Sequence, residues 1–409
     1  MTAPGEVFEN HTVLVRGGRI IELLPTAVAR ARYGAAIDVE RSAHLLLPGR
    51  INAAAPLAGG SAAGALLRIA ELLSAGTTCV LSAGAFPDES ARLAAEQGLR
   101  AVIGMPIAAA PSAWAENAGH YLTRALSLRD EYHAHPLIRT AFAPAAEAAL
   151  DDATLLRVAT LAAELDASVV ATLHASAAAV EASLRRHGMR PIERLEALGL
   201  LSPALTAVGM AAVDATDVER AERAGIAVAL CPIQAALRGG AAGALSAWSA
   251  ARVRLALGTS LDDTGASLDL WSELRYFAIQ IAAGTSLAER AWTALAAITS
   301  GAAAALGLDA EIGTIEAGKW ADLCCVDLRT PALLRGSLRP TSLTTYGAAA
   351  AAHARMTELT FDGGRDIVSD VWVSGRQLID QCAFTRLDWN ALAARMAGER
   401  VSTTLGAAP

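Results

Sequence analysis

The feature that most constrains this chain is the alternation of short apolar runs with amphipathic helical stretches between about residues 45 and 305. Eight runs read as strands: 45–52 (LLLPGRIN among them), 77–83, 100–106, 137–143, 168–174, 205–211, 226–232 and 253–259. Helical patterns lie between most of them. ALLRIAELLSAG puts Leu66, Ile69, Leu72 and Leu73 on one face and stops at Gly76. DATLLRVATLAAELD does the same with Leu155, Val158, Leu161 and Leu165, and Asp152 is placed to cap it. Parallel strands need a crossover between them, and a helix is the usual crossover. Eight strand–helix units close into a barrel. The expected fold class is therefore α/β, a (β/α)8 TIM barrel.

The two ends of the chain have a different rhythm. Residues 11–24 (HTVLVRGGRIIELL) read as a hairpin of β-branched runs about Gly17-Gly18. Residues 311–328 and 367–380 are also turn-punctuated strands. The expectation is a small composite β-sandwich built from both ends, with 1–48 as its N-terminal part, 49–306 as the barrel and 307–409 as its C-terminal part. Residues 330–364, rich in Pro, Gly, Thr and Ala, read as a long loop.

Charge narrows the partners. A formal net charge of −7 lacks the clustered Lys and Arg that phosphate backbones require, so nucleic acid is not expected. No uninterrupted apolar run reaches membrane-spanning length, and the N-terminus is neither cationic nor apolar enough for a signal peptide. Five cysteines without C-x-x-C spacing point to a reducing compartment, and the expected location is cytoplasmic.

Several phrases, in order along nearly the whole chain, carry a resemblance: LLPGRINA (46–53), GTTCV (76–80), HPLIRTAFAP (135–144), RHGMRPIERLEALGLL (186–201), ALGTS (256–260), LDLWSELR (268–275), GLDAEIGTIEAGKWADLCCVDL (307–328) and VSDVWVSGRQLI (368–379). Together they resemble the amidohydrolase superfamily, in particular the methylthioadenosine/S-adenosylhomocysteine deaminases and the triazine hydrolases. The resemblance implies a barrel whose C-terminal mouth holds a divalent metal, which lowers the pKa of bound water to roughly 7 and so supplies hydroxide.

The resemblance also implies where the metal ligands would fall. The His-x-His after the first strand falls on Ala54 and Pro56, the fifth-strand His on Thr172, the sixth-strand His on Gly209 and the eighth-strand Asp on Ser260. A catalytic or substrate-binding Glu falls on Ala175, and a substrate-contacting His on Ala145. A further block reads LCPIQAA, giving Leu230, Ile233, Gln234 and Ala235. These five ligand positions are therefore expected to be vestigial, with no metal and no other cofactor.

Four residues are weak candidates for a replacement site. His174 shares strand parity with Thr172 and is expected to point into the barrel near its rim, with a hydrogen-bonded rim histidine favoured over a functional one. Glu147 follows the fourth strand, and Asp262 and Asp263 follow the eighth; they could serve as acids or bases, although loop and capping carboxylates are the favoured reading. His133 and His135 have ligand spacing but precede the fourth strand, at the wrong end of a barrel for chemistry. Cys231 reads as a buried, inert thiol. The functional expectation is a catalytically inactive deaminase homologue acting in binding or assembly. The alternative is a metal-independent enzyme that cyclises, isomerises or eliminates on a small molecule, and an active metal-dependent aminohydrolase ranks last. A small-molecule ligand in the barrel mouth and a homodimer, or a heteromer with an active paralogue, complete the expectation.

Overall fold

The structure, a computed structural model, describes residues 7–34, 39–57, 61–145, 150–240, 242–261, 267–281, 284–334 and 348–405. The strands are β1 (His11–Arg16), β2 (Arg19–Pro25), β3 (His44–Pro48), β4 (Arg50–Asn52), β5 (Thr77–Ala83), β6 (Arg100–Ile107), β7 (Ile138–Pro144), β8 (Ser168–Leu173), β9 (Leu205–Gly209), β10 (Ala227–Leu230), β11 (Arg254–Leu257), β12 (Leu323–Asp327), β13 (Val368–Val373), β14 (Arg376–Asp380) and β15 (Ala383–Phe384). The helices are α1 (Thr26–Tyr33), α2 (Ala62–Ser74), α3 (Pro87–Gln97), α4 (Ala118–Tyr132), α5 (Asp152–Glu164), α6 (Ala177–His187), α7 (Pro191–Ala197), α8 (Ala215–Ala224), α9 (Pro232–Leu237), α10 (Ala242–Ala250), α11 (Leu270–Gln280), α12 (Leu287–Ala296), α13 (Ser300–Ala305), α14 (Pro331–Leu334), α15 (Ala348–Asp362) and α16 (Trp389–Leu405).

Strands β4 to β11 form one parallel sheet in sequence order. Its two edges meet: the Ala53 N–H donates to the Leu257 carbonyl at 2.9 Å, and the Thr259 N–H to the Ala54 carbonyl at 2.8 Å. The (β/α)8 barrel expected from the sequence is therefore the fold. Small apolar residues fill its interior, including Ala54, Cys79, Ala141, Ala229 and Ala256, and Leu306, Leu308 and Ile312 belong to the same cluster.

The first strand run, 45–52, is two strands rather than one. Residues 44–48 pair antiparallel with β12 in a five-stranded sheet of order β15-β14-β13-β12-β3, and the barrel begins at Arg50. Pro48 has no N–H to offer a ladder, and Gly49 is where the chain passes from one sheet to the other. A Cβ there would lie 2.0 Å from the Thr78 hydroxyl, so only glycine fits. The hairpin about Gly17-Gly18 forms as expected, both glycines having positive φ (58° and 80°). It makes its own two-stranded sheet and docks through the Ile20–Ile315–Ala321–Leu323 cluster. Arg19 stacks 3.9 Å from the Trp320 ring centroid.

Two other expectations change. The Asp151 side chain, not Asp152, caps α5, accepting the Thr154 N–H at 2.7 Å, while Asp152 pairs with Arg194. The loop expected over 330–364 contains α14 and the fifteen-residue α15, with 335–347 outside the described residues. The alanine run favours helix. Ala352, Met356 and Leu359, at i, i+4 and i+7, are all buried, and α15 packs on α11 and α12.

Candidate active site at the barrel mouth

In this fold chemistry belongs to the C-terminal ends of the barrel strands. At that end the ends of β8, β9, β10 and β11 enclose a recess of about 50 Å³. Thr172, Gly209, Cys231, Gln234, Arg238 and Ser260 are among its lining residues. A shallower depression adjoins it, sharing Gly209, Cys231 and Ala235 and adding Pro232 and Tyr276. Thr172 is exposed on the recess, whereas Ser260 and Cys231 are buried.

The opposite side of the mouth, where β4 meets β11, is shut. Asn52 Oδ1 accepts the N–H groups of Ala54 and Thr259 at 3.2 Å each, and its amide donates to the Thr259 hydroxyl at 3.1 Å. The Ser260 N–H donates to the Ala54 carbonyl at 2.9 Å. A Cβ on Gly258 would lie 2.4 Å from the Ala54 nitrogen, so the two backbones touch. Ala54 and Pro56 are buried.

The five positions marked by the resemblance thus carry a methyl group, a pyrrolidine ring, two hydroxyls and a hydrogen. A zinc or iron centre needs converging imidazole, thiolate or carboxylate donors. Among the described residues no group of three or more His, Cys, Asp or Glu is placed to hold a metal ion. The described side chains at these strand ends do not fit one.

His174 is not where the sequence put it. β8 ends at Leu173, and His174 turns with φ of 50°, which carries its side chain out of the strand's alternation. The ring is fully buried against the neighbouring loops rather than pointing into the mouth. Nδ1 lies 3.0 Å from the Ala212 carbonyl, and Nε2 accepts the Ile192 N–H at 3.2 Å. This arrangement fixes a neutral ring with its proton on Nδ1. Burial pushes His174 below the ordinary histidine range, and the Ala212 carbonyl and nearby Asp217 act in the opposite direction. Asp217, 3.7 Å from Nδ1, is held by Arg190. The residue is a bracket joining β8, the β9–α8 turn and the start of α7.

Glu147, Asp262 and Asp263 lie outside the described residues. His135 Nδ1 accepts the N–H groups of Leu137 and Ile138 at 3.2 Å each, a local bracket at the bottom of β7. Cys231 and Cys324 are buried. A residue the sequence reading passed over, Glu273 of α11, is only 3% exposed. Its Oε2 accepts the Ile233 N–H at 2.8 Å. Burial pushes its carboxyl up to about 8; the Ile233 N–H pulls it down and Asp269 raises it further.

The sequence profile of the amidohydrolase family matches residues 58–378. The chain belongs to the amidohydrolase family. It is 30% identical to a 5-methylthioadenosine/S-adenosylhomocysteine deaminase of Teredinibacter turnerae, over 96% of this chain and 92% of that one. It is 28% identical to one of Saccharophagus degradans, over 94% and 90%. A zinc-bound adenosine deaminase from Xanthomonas campestris superposes with a TM-score of 0.83 at 33% identity, covering 97% of this chain and 94% of that one. An atrazine chlorohydrolase from Arthrobacter aurescens (TM-score 0.78, 18% identity, covering 96% and 95%) shares the fold.

These relatives correct the functional expectation. The chain was expected to be an inactive homologue, or else a metal-independent cyclising, isomerising or eliminating enzyme. Proteins that match it from end to end are named as deaminases, and a well-superposed neighbour carries zinc. The similarity points to a hydrolase of the deaminase type. Among the described residues, no helix is long and apolar enough to cross a membrane.

Proposed function

We propose that this chain is a deaminase-type hydrolase that takes a small nucleoside of the 5-methylthioadenosine/S-adenosylhomocysteine class at the C-terminal mouth of its barrel. The observation that carries the reading is the near end-to-end similarity to proteins named for that substrate class. The recess supports it: it lies at the strand ends where this fold places chemistry, and it pairs small apolar walls with a few polar groups, as ligand sites do. About 50 Å³ admits one end of a nucleoside, such as a ring edge with its substituent, and the rest would lie toward solvent. Thr172, exposed on the recess, offers a hydroxyl to that end.

The overall reaction is hydrolytic. The oxygen of water bonds to the ring carbon bearing the amino group, the carbon–nitrogen bond breaks, and ammonia leaves. No step is assigned to a metal ion, because the described side chains at the strand ends do not fit one. The full-length chain incubated with 5-methylthioadenosine, S-adenosylhomocysteine or adenosine should release ammonia in step with the ultraviolet shift from an adenine to a hypoxanthine ring. Absence of both signals with all three nucleosides refutes the reading.

A further inference from the structure

Helix α9 forms one wall of the recess. Its N-cap Cys231, and Gln234 and Ala235 within it, line the larger cavity, while Pro232 and Ala236 line the adjoining depression with Tyr276. At six residues, α9 is too short to be stable on its own. What holds it is visible behind it. The Glu273 carboxyl reaches from α11 to the Ile233 N–H in the first turn of α9, one of the four amide donors a helix leaves unmatched at its start. We propose that Glu273 is the positioning residue of the mouth, holding the α9 wall of the recess in place for the ligand. The inference rests on the recess being the ligand site of the proposed function.

The same geometry makes the hold depend on pH. Among the described residues, few titratable groups face Glu273. Asp269, at the cap of its own helix, acts on it, and Cys231 and Tyr276 line the depression beside it. α10 has no ionisable residue. Among the described residues, no charge on α9, α12 or α15 acts on Glu273. Among the described residues no cation acts on the carboxylate, and burial keeps the group protonated at neutral pH, with its midpoint at about 8. Opening α9 would hydrate the carboxyl and return it to the ordinary carboxylate range. The closed form therefore binds one more proton than the open form at any pH between the two midpoints. Rising pH favours opening across that window, by up to about tenfold per pH unit, and the effect levels off above about 8.

The test follows amide hydrogen exchange of residues 231–238 in the full-length, ligand-free protein, corrected for the intrinsic pH dependence of exchange. Wild-type protection should fall by up to about tenfold per unit from about pH 6 to about pH 8 and then flatten. Glu273→Gln keeps an oxygen for the Ile233 N–H but cannot ionise, so its protection should stay level over the same range. Its thermal unfolding reports that the fold is intact. A wild-type profile that is flat from about pH 6 to about pH 8, or a Gln variant that follows the wild-type slope, overturns the proposal. Calorimetric titration with 5-methylthioadenosine then separates the two readings. Affinity should decline with pH in the wild type and not in E273Q. If the nucleoside binds at no pH, the substrate reading fails while the exchange profile still decides the role of Glu273.

Discussion

Replacing His174 with alanine tests whether it is a structural bracket or a rim residue of the site. The ring satisfies two buried backbone groups, the Ile192 N–H at the start of α7 and the Ala212 carbonyl. Its removal leaves the Ile192 N–H unpaired in a fully buried position. The Ala212 carbonyl keeps only a weak contact, at 3.5 Å, to Arg190. One fully orphaned group costs about 1–3 kcal/mol, a partly satisfied one less, and the void left by the ring adds to both, so the expected loss is about 3 kcal/mol. The positive φ adds nothing for alanine relative to histidine, since both carry a Cβ. The pH dependence has a definite sign. Because burial lowers His174 in the folded state, the unfolded chain binds more protons, and the bracket's contribution is present above about 6.5 and fades as pH falls below that. Protonation would also turn Nε2 from an acceptor into a donor facing the Ile192 N–H. Urea denaturation of wild type and H174A at about pH 7.5 and about pH 5 measures both effects. A difference under about 1 kcal/mol at the higher pH, or one that does not shrink at the lower, refutes the bracket. So would an H174A protein of unchanged stability that has lost turnover.

Two other perturbations probe the scaffold around the mouth. Asp322 meets the buried Arg100 through both carboxylate oxygens and also accepts the Ser374 N–H, so D322N leaves a guanidinium without its counter-charge between barrel and small sheet. Urea unfolding should show a loss of about 3–5 kcal/mol, with the apolar double variant R100M/D322L recovering most of it. Gly258→Ala drives a methyl into the Ala54 backbone at the β4–β11 seam, where no flexible side chain can yield. A loss of about 2–3 kcal/mol in the same assay is expected, and a shift under half of that would mean the seam is looser than its contacts imply.

The barrel was legible because its signal is distributed: each strand–helix unit repeats the same apolar periodicity, and the family phrases fall in order on those units. What escaped was set by contacts the periodicity does not encode. LLLPGRIN reads as one apolar run, but the chain changes sheets at Gly49, where the tight approach to Thr78 admits only glycine. Parity along β8 sent His174 into the barrel, but parity ends where the strand ends, and the left-handed turn at 174 follows. The Ala-rich segment before Asp362 reads as part of a long loop, although its composition favours helix and Met356 and Leu359 supply a buried stripe. Glu273 was within reach. It stands three residues after Leu270 and four before Phe277, both fully buried, so helical spacing alone places a carboxylate on the packed face of α11.

The mouth is asymmetric, and the asymmetry decides where a ligand can be read. On the β4–β11 side, Asn52 ties Ala54 to Thr259 and the backbones touch at Gly258, so nothing beyond a methyl group is accommodated between them. On the β8–β10 side, Thr172 and Gly209 leave space, and the wall across from them belongs to α9. On the proposed function, that wall and whatever sets its position are the described parts of the mouth expected to govern specificity. A short helix to which a buried carboxyl is tied can shift by small amounts without disturbing the barrel, because the strands beneath it carry their own ladder of hydrogen bonds. On the proposed function, substitutions at Gln234 or Ala235 should accordingly change which nucleosides are accepted, whereas substitutions at Asn52 or Gly258 should change whether the barrel closes at all.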